Sequence, residues 1–418
     1  MRIITLKADE FNNYAKRHKY ASLYQTSSYA DFENKHEGFD VHYLGFEENG
    51  NLIGATMVIY KQLFWGYKYA YAPRGFLIDY TNKQLVSELT TRLVNLLKKQ
   101  KFIFVKIDPP IIIKEKDFEG NAFYQSDTAD DIINILKSNN YQHFGFNLYN
   151  ETKLTRFNVF AKLLPNAKNL YNSFSKEVQE NIKVANRMAV KTFIDETNDI
   201  NQFYNFIKPA YGRKGKKYFQ NLFDSFSKTN DIKIFYTMVD SNKYAQNTNN
   251  LYNVELERNE GLTKIIESGD TKYDINKVIN DKIESDKILN VYKKDILVST
   301  DFLRNYPDGV ICGVALVINQ KKGAEVIINY NPKEYSRFNS NDILIYEIMK
   351  YYASNNLKYI NLGAVSGNFN KKSKFYSMLV PKKGFNSSVI EYIGEFDLII
   401  NPIMYKVYKN KSKKKKLV

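Results

Sequence analysis

Two stretches of this chain run through the same order of elements, and that repetition restricts the fold more than any other feature. In the first, residues 41–46 and 52–60 are apolar runs joined by a turn at Asn49-Gly50, the composition of a two-stranded hairpin. Leu85, Leu89, Leu93, Leu96 and Leu97 then recur at helical spacing across residues 84–98. Residues 102–107 form a short buried strand stopped by Asp108-Pro109-Pro110. In the second, residues 310–318 and 326–330 read as strands, 341–354 as a helix and 358–362 as a strand. Such alternation predicts an α/β fold with mixed sheets, built as two similar domains. The first is placed at 1–150 and the second at 151–241 and 304–400.

Between the halves of the second domain lies a polar interruption, 242–303. Leu256, Leu262, Ile265 and Ile266, then Ile275, Val278, Ile279 and Ile283, recur at roughly helical spacing on either side of Gly269-Asp270. Two antiparallel helices joined at 268–272 would bury that stripe against itself and are the expectation for this segment, with a disordered insertion, suggested by the charges that interrupt the stripe, as the alternative.

The final strand leads into Gly363, Ala364, Ser366 and Gly367, residues that let a backbone turn sharply and offer its amides to an anion. Lys371, Lys372, Lys374, Lys382 and Lys383 surround that turn, which points to a phosphate-bearing substrate. The whole chain has 61 Lys and Arg against 45 Asp and Glu, a net +16, which suits a polyanionic partner, although a lysine-rich genome gives the same excess. Cys312 is the only cysteine, so no intrachain disulfide forms, and its strand "VICGVALVI" makes it packing rather than a nucleophile. The opening "MRIITLKADEF" lacks the order of a signal peptide, and no apolar run approaches the roughly 18 residues of a membrane span. The expectation is a cytoplasmic protein. The tail 401–418 carries seven lysines between Lys406 and Lys416 and reads as solvated and disordered, with peripheral contact to an anionic inner membrane as its functional alternative.

Several of these segments carry a more specific signature. "NLGAVSGNF" followed by "KKGFNSSVIEYIGEFDLIINPIMYKVY" resembles the carboxyl end of the Fem family, aminoacyl-tRNA-dependent transferases that build peptidoglycan interpeptide bridges. Lys382 takes the lysine of that family's aromatic-Lys-x-x-aromatic-Asn signature, with Phe385 and Asn386 in register and Pro381 where the family has Phe. "YQTSSYADFENK", "YAPRGFLIDY", "FVKIDPP", "SKEVQENIKVANRMAVKTF" and "KPAYGRKGKKYF" resemble further Fem segments, with Gln179 and Ala189 replacing an Arg and a Gly.

The resemblance implies two tandem GNAT-like domains with an inserted helical arm. It also implies transfer of Gly, Ala or Ser from aminoacyl-tRNA to the stem-peptide amine of lipid II or UDP-MurNAc-pentapeptide. No cofactor or metal is needed for aminolysis of an ester already activated, and the four histidines show no ligand spacing. Carried over by position, Lys382 stabilises the developing oxyanion or holds an acceptor-stem phosphate, and Asp108 orients or deprotonates the attacking amine. Lys35 and Arg213 bind the precursor's diphosphate, Tyr330 lies near the stem peptide, and Lys383 adds charge to the substrate site. Lys382, Arg213 and Asp108 are expected to share one groove. Read without the family, Lys382 is solvated charge, Asp108 caps a turn and Tyr330 is core. Two other classes remain: an acyl-CoA-dependent GNAT N-acyltransferase, whose pyrophosphate loop is not found in the sequence, and a non-enzymatic RNA- or membrane-binding protein.

Overall fold

The computed structural model describes residues 1–149, 151–229, 231–269, 272–320 and 322–415 of the chain. Asp270 of the expected helical break and Lys416 of the lysine run lie outside them.

The strands form two mixed sheets. The first is ordered Arg2–Thr5, Asp40–Glu48, Asn51–Gln62, Lys68–Ala72, Phe102–Ile107, Phe396–Ile399 and Tyr141–His143. The second runs Val190–Ile194, Ile232–Val239, Val310–Asn319, Gly323–Tyr330, Tyr359–Val365, Phe157–Lys162, Ser387–Tyr392, Ile112–Lys116 and Ala122–Gln125. Each sheet holds one parallel pair, Lys68–Ala72 with Phe102–Ile107 and Gly323–Tyr330 with Tyr359–Val365. A helix bridges each pair, Lys83–Lys99 in the first and Ser340–Ser354 in the second, as a parallel connection requires.

The hydrophobic cores stack the molecule in five layers. Helices Lys83–Lys99 and Ala129–Ser138 cover the outer face of the first sheet, and Lys176–Arg187 and Ser340–Ser354 cover that of the second. Between the sheets, helices Ala8–Ala15, Ser27–Glu37, Ile200–Tyr211 and Lys216–Phe226 bury Phe11, Phe32, Phe203 and Phe219. The same core takes Met57 and Ile59 from one sheet and Ile234 and Leu316 from the other. The two halves therefore share a central core in addition to the one each closes on its outer face.

Strand exchange corrects the expected division of the chain. Ile112–Lys116 and Ala122–Gln125, assigned above to the first domain, extend the second sheet. Phe396–Ile399, assigned to the second domain, pairs with Phe102–Ile107 in the first. Local sequence pattern defines a strand but not its partner, and both pairings span long separations. The tail differs as well: Pro402–Lys415 is a helix, because Met404 and Tyr405 find a small core with Ile103 and Phe104. Helices Ser241–Ser268 and Ile275–Asn305 occupy the interruption and pack on one another. Inside their seam, the Asn259 amide donates to Ser285 Oγ (3.1 Å) and Asp286 Oδ1 (2.8 Å), a buried polar contact that fixes their register.

Candidate active site

Both parallel pairs separate at their carboxyl ends, and polar side chains collect where they do. In the first sheet the pairing ends at Ala72 and Ile107, and the chain continues into Pro73-Arg74-Gly75 on one strand and Asp108 on the other. Arg74 has φ +50°, a conformation costly for a side chain with a Cβ, and it is held there by several contacts. Its amide donates to Asp108 Oδ1 (2.7 Å), its Nη1 lies 3.4 Å from Asp108 Oδ2, and its Nη2 donates to the Thr155 carbonyl (2.8 Å). The guanidinium rests over the Tyr392 ring, 4.8 Å from its centroid. Gly75 has no room for a side chain, since a Cβ would sit 2.9 Å from Gln25 Nε2. That buried glutamine donates to the Met57 and Pro73 carbonyls and accepts from the Met57 amide, clamping the turn to the sheet.

In the second sheet the last paired residues are Glu325 and Asn361. Glu325 accepts a 2.6 Å hydrogen bond from Tyr24, and Asn361 faces Asn158 from the adjacent strand. Arg74, Tyr24, Glu325, Asn158, Asn361, Tyr359 and Tyr392 thus line one cleft of about 520 Å³, with Lys19, Lys162 and Lys358 also on its wall. Burial pushes the Glu325 carboxyl above its usual range, against the Tyr24 hydrogen bond and the Arg74 charge. A cleft with an aromatic lining, one buried cation, one buried acid and exposed lysines suits an amphoteric group on a polyanionic carrier.

Among the residues singled out from sequence, Asp108 stands nearest this chemistry, but it is sealed. Its side chain is 1% exposed, and burial pushes its carboxyl up to about 6 against the opposing pull of Arg74. That carboxylate is aimed at Arg74 and is absent from the cleft lining, a placement that suits holding the arginine better than taking a proton from a substrate amine.

Lys382 sits at the edge of the same sheet end. Its Nζ donates to the Ala364 carbonyl (2.7 Å) and lies 3.8 Å from where a Cβ on Gly363 would be, two residues beyond the cleft-lining Asn361. Burial without a carboxylate partner pushes this ammonium down to about 8. The glycine turn beside it offers fewer donors than expected. Gly363 N–H is taken by Asn361 Oδ1, Gly367 N–H by the Leu148 carbonyl and Asn368 N–H by Ser366 Oγ, because the strand runs on to Val365.

None of the six residues singled out from sequence, Asp108 and Lys382 included, is among those lining the cleft. Lys35 pairs with Asp31 (2.7 Å) where helices Ser27–Glu37 and Lys216–Phe226 meet, and Arg213 is exposed in the short turn Gly212–Lys214 before the second of these. Tyr330 packs on Phe206 and Tyr211 beneath that turn. Lys383 points away to Glu119 (2.7 Å). The single groove expected for Lys382, Arg213 and Asp108 is therefore not formed. Lys382 and the Arg213 turn are instead linked through polar contacts: the Asn341 amide donates to the Pro381 carbonyl, that of Asn329 to Asn341, and the Tyr211 hydroxyl to the Asn329 carbonyl. Among the described residues no cluster of His, Cys, Asp and Glu is arranged to hold a metal ion.

A model of the FemAB family matches residues 6–413 of this chain. The chain belongs to the FemAB family. It is similar along its whole length to the lipid II:glycine glycyltransferase of Staphylococcus epidermidis, at 23% identity over 413 residues, 97% of this chain and 94% of the relative. Aminoacyltransferase FemA of the same species is 23% identical over 429 residues, 100% of both chains. A crystal structure of FemX shares the fold with a TM-score of 0.78, over 97% of this chain and 99% of that one, at 20% identity.

The departures from the Fem pattern have local explanations. Ala189 adopts φ +56°, the left-handed conformation for which glycine is the natural choice, so this chain carries strain of about 1–2 kcal/mol at that position. Gln179 replaces an arginine and donates to the Phe174 carbonyl (2.8 Å), tying its helix to the preceding turn. Pro381 has no amide, and the amides after it are occupied, Lys382 N–H by the Leu379 carbonyl and Lys383 N–H by that of Val380.

The sequence reading singles out none of the seven residues Arg74, Tyr24, Glu325, Asn158, Asn361, Tyr359 and Tyr392 that line the cleft. Arg74 lay within a quoted motif, and an arginine after one strand with an aspartate ending its neighbour was the available signal. Glu325, an acid inside the apolar run "AEVIINY", was another.

Proposed function

We propose that this FemAB-family enzyme moves an amino acid, Gly, Ala or Ser, from aminoacyl-tRNA to the stem-peptide amine of a peptidoglycan precursor, lipid II or UDP-MurNAc-pentapeptide. The observation that carries this reading is the cleft that brings Arg74, from the end of the first parallel pair, and Glu325, from the second, to one space, with Lys382 outside its lining on the Ala364 carbonyl, three residues past Asn361. In the proposed reaction the neutral amine attacks the ester carbon, and the C–O bond to the ribose breaks. The proton lost by the amine passes to the leaving ribose hydroxyl. Lys382 meets the charge that develops on the carbonyl oxygen, and Glu325 meets the α-ammonium of the amino acid being moved. Lys35 and Arg213 hold the precursor's diphosphate on the helical side, with Tyr330 beneath. Aminoacyl-tRNA serves as co-substrate, with no cofactor or metal, and the lysine-rich carboxyl-terminal helix provides peripheral contact with the cytoplasmic face of the membrane. No helix of the described residues is long and apolar enough to cross a bilayer.

The acyl-CoA alternative fares worse on geometry. In the second half, the amino terminus of helix Ser340–Ser354 suits a pyrophosphate poorly, because Asp342 occupies its first turn, accepting from the Asn181 amide (2.6 Å), and a carboxylate there repels an anion.

The test is transfer of radiolabelled amino acid from a mixed charged tRNA pool to lipid II and, separately, to the nucleotide-linked precursor. Label in the precursor supports the proposal; acetyl transfer from acetyl-CoA with no aminoacyl transfer sinks it. In the same assay Arg213→Ala should raise KM for the precursor about tenfold or more with little change in kcat, the loss of a charge-assisted phosphate contact.

A further inference from the structure

At the end of the first parallel pair remote from Arg74, the surface changes character. The hairpin between strands Asn51–Gln62 and Lys68–Ala72 presents Leu63, Phe64, Trp65 and Tyr67. Trp65, the only tryptophan in the chain, sits at φ +55° and is 70% exposed. Helix Pro402–Lys415 lies against this hairpin, with Met404 and Tyr405 buried and Leu63, Phe64 and Tyr67 packed on the same small core. Ile403, next to that buried pair, is 75% exposed. Lys411 reaches back over the hairpin, 4.0 Å from the Phe64 ring centroid and 4.9 Å from that of Trp65.

The charge around these apolar groups is predominantly positive. Segments 62–72, 98–107 and 400–412 contain no Asp or Glu, while Lys98, Lys99, Lys101, Lys406 and Lys411 are exposed. Asp397 is buried and paired with Lys106 and the Tyr405 hydroxyl, while Glu37, at the foot of the hairpin, is paired with Lys61. An exposed tryptophan and isoleucine ringed by lysines is the composition of a surface that enters the headgroup boundary of an anionic bilayer.

We propose that the Trp65 hairpin and the carboxyl-terminal helix together form a docking face for an anionic lipid surface, Trp65 and Ile403 entering the interface and the lysines facing lipid phosphates. Strand register sets the geometry. Lys68 pairs with Phe102 at the docking end and Ala72 with Ile107 at the Arg74 end, so the cleft stands about 15 Å further from the bilayer, at the usual strand rise. Resting on the proposed function, this spacing lets a lipid-linked precursor keep its lipid in the bilayer while its diphosphate and peptide extend inward along the protein.

The experiment needs no transfer activity, so its failure is separate from failure of the proposed reaction. The full chain is mixed with vesicles of phosphatidylglycerol or of phosphatidylcholine, and Trp65 emission and co-sedimentation are recorded. A blue shift with phosphatidylglycerol and none with phosphatidylcholine is expected. Lys406→Ala and Lys411→Ala should each weaken partitioning about fivefold, and Trp65→Ser should weaken sedimentation while leaving transfer to the soluble nucleotide-linked precursor unchanged. Sedimentation without an emission shift, or equal binding to both vesicles, overturns the proposal. So does an emission change with tRNA but not with vesicles, which would make the face an RNA site.

Discussion

Asp108→Ala is expected to lower the free energy of unfolding by about 3–5 kcal/mol, because it strands a buried guanidinium. Arg74 is 6% exposed, its amide and its Nη1 both face Asp108, and its left-handed backbone depends on the same carboxylate. Urea denaturation at pH 7 measures this loss directly. Asp108→Asn keeps the shape and an acceptor oxygen and should cost much less, and its pH dependence carries a sign. The Asp108 carboxyl is raised to about 6, above its unfolded value, so the wild-type fold takes up a proton between roughly pH 6 and 4 that the unfolded chain does not. Over that window the wild type gains stability relative to the Asn variant as pH falls. A gap that narrows there would contradict the buried placement of this carboxyl.

The second large effect is catalytic. Lys382→Ala should reduce kcat about 10²–10³-fold with little change in precursor KM, the size expected for one preorganised donor to an oxyanion. The backbone around Pro381 has no amide free to substitute, which is why the side chain should matter more here than where a phenylalanine stands at that position. Since burial brings the ammonium down to about 8, its charge is lost as pH rises through that value, and kcat should fall above it. Lys382→Arg, charged at every accessible pH, should remove that alkaline limb even if the bulkier group lowers the maximum. An unchanged limb in the arginine variant would assign it to another group, and equal losses in kcat and binding for the alanine variant would make Lys382 a binding residue.

What could be read from sequence follows the range of the interactions involved. Strands and helices with strong periodicity, such as Phe102–Ile107 and Lys83–Lys99, were legible because their pattern is local. The Fem segments marked Lys382 and the Asp108 strand end for the same reason. Pairing was not legible: nothing in "FDLII" says that Phe396 joins Ile107 instead of a neighbour in its own half. The cleft shares that difficulty, since Tyr24 and Glu325 meet only after the two halves close on a common core. Lys35, Arg213 and Tyr330 came from motif position alone, and position along the chain does not say which face of a helix layer a side chain will occupy. The tail was misread because its lysines hide an apolar set, Met404 and Tyr405, too short to announce a helix without the surface it covers.

The exchanged strands also set a timetable for synthesis. Phe102–Ile107 leaves the ribosome early, yet its antiparallel neighbour Phe396–Ile399 is made about 290 residues later, roughly 15–60 s at ordinary rates of elongation. For that interval the first sheet has an apolar open edge, the kind of surface that invites pairing with another chain. The amino-terminal half therefore cannot mature while translation continues, and premature termination anywhere before Phe396 should yield a sticky fragment instead of a smaller folded protein.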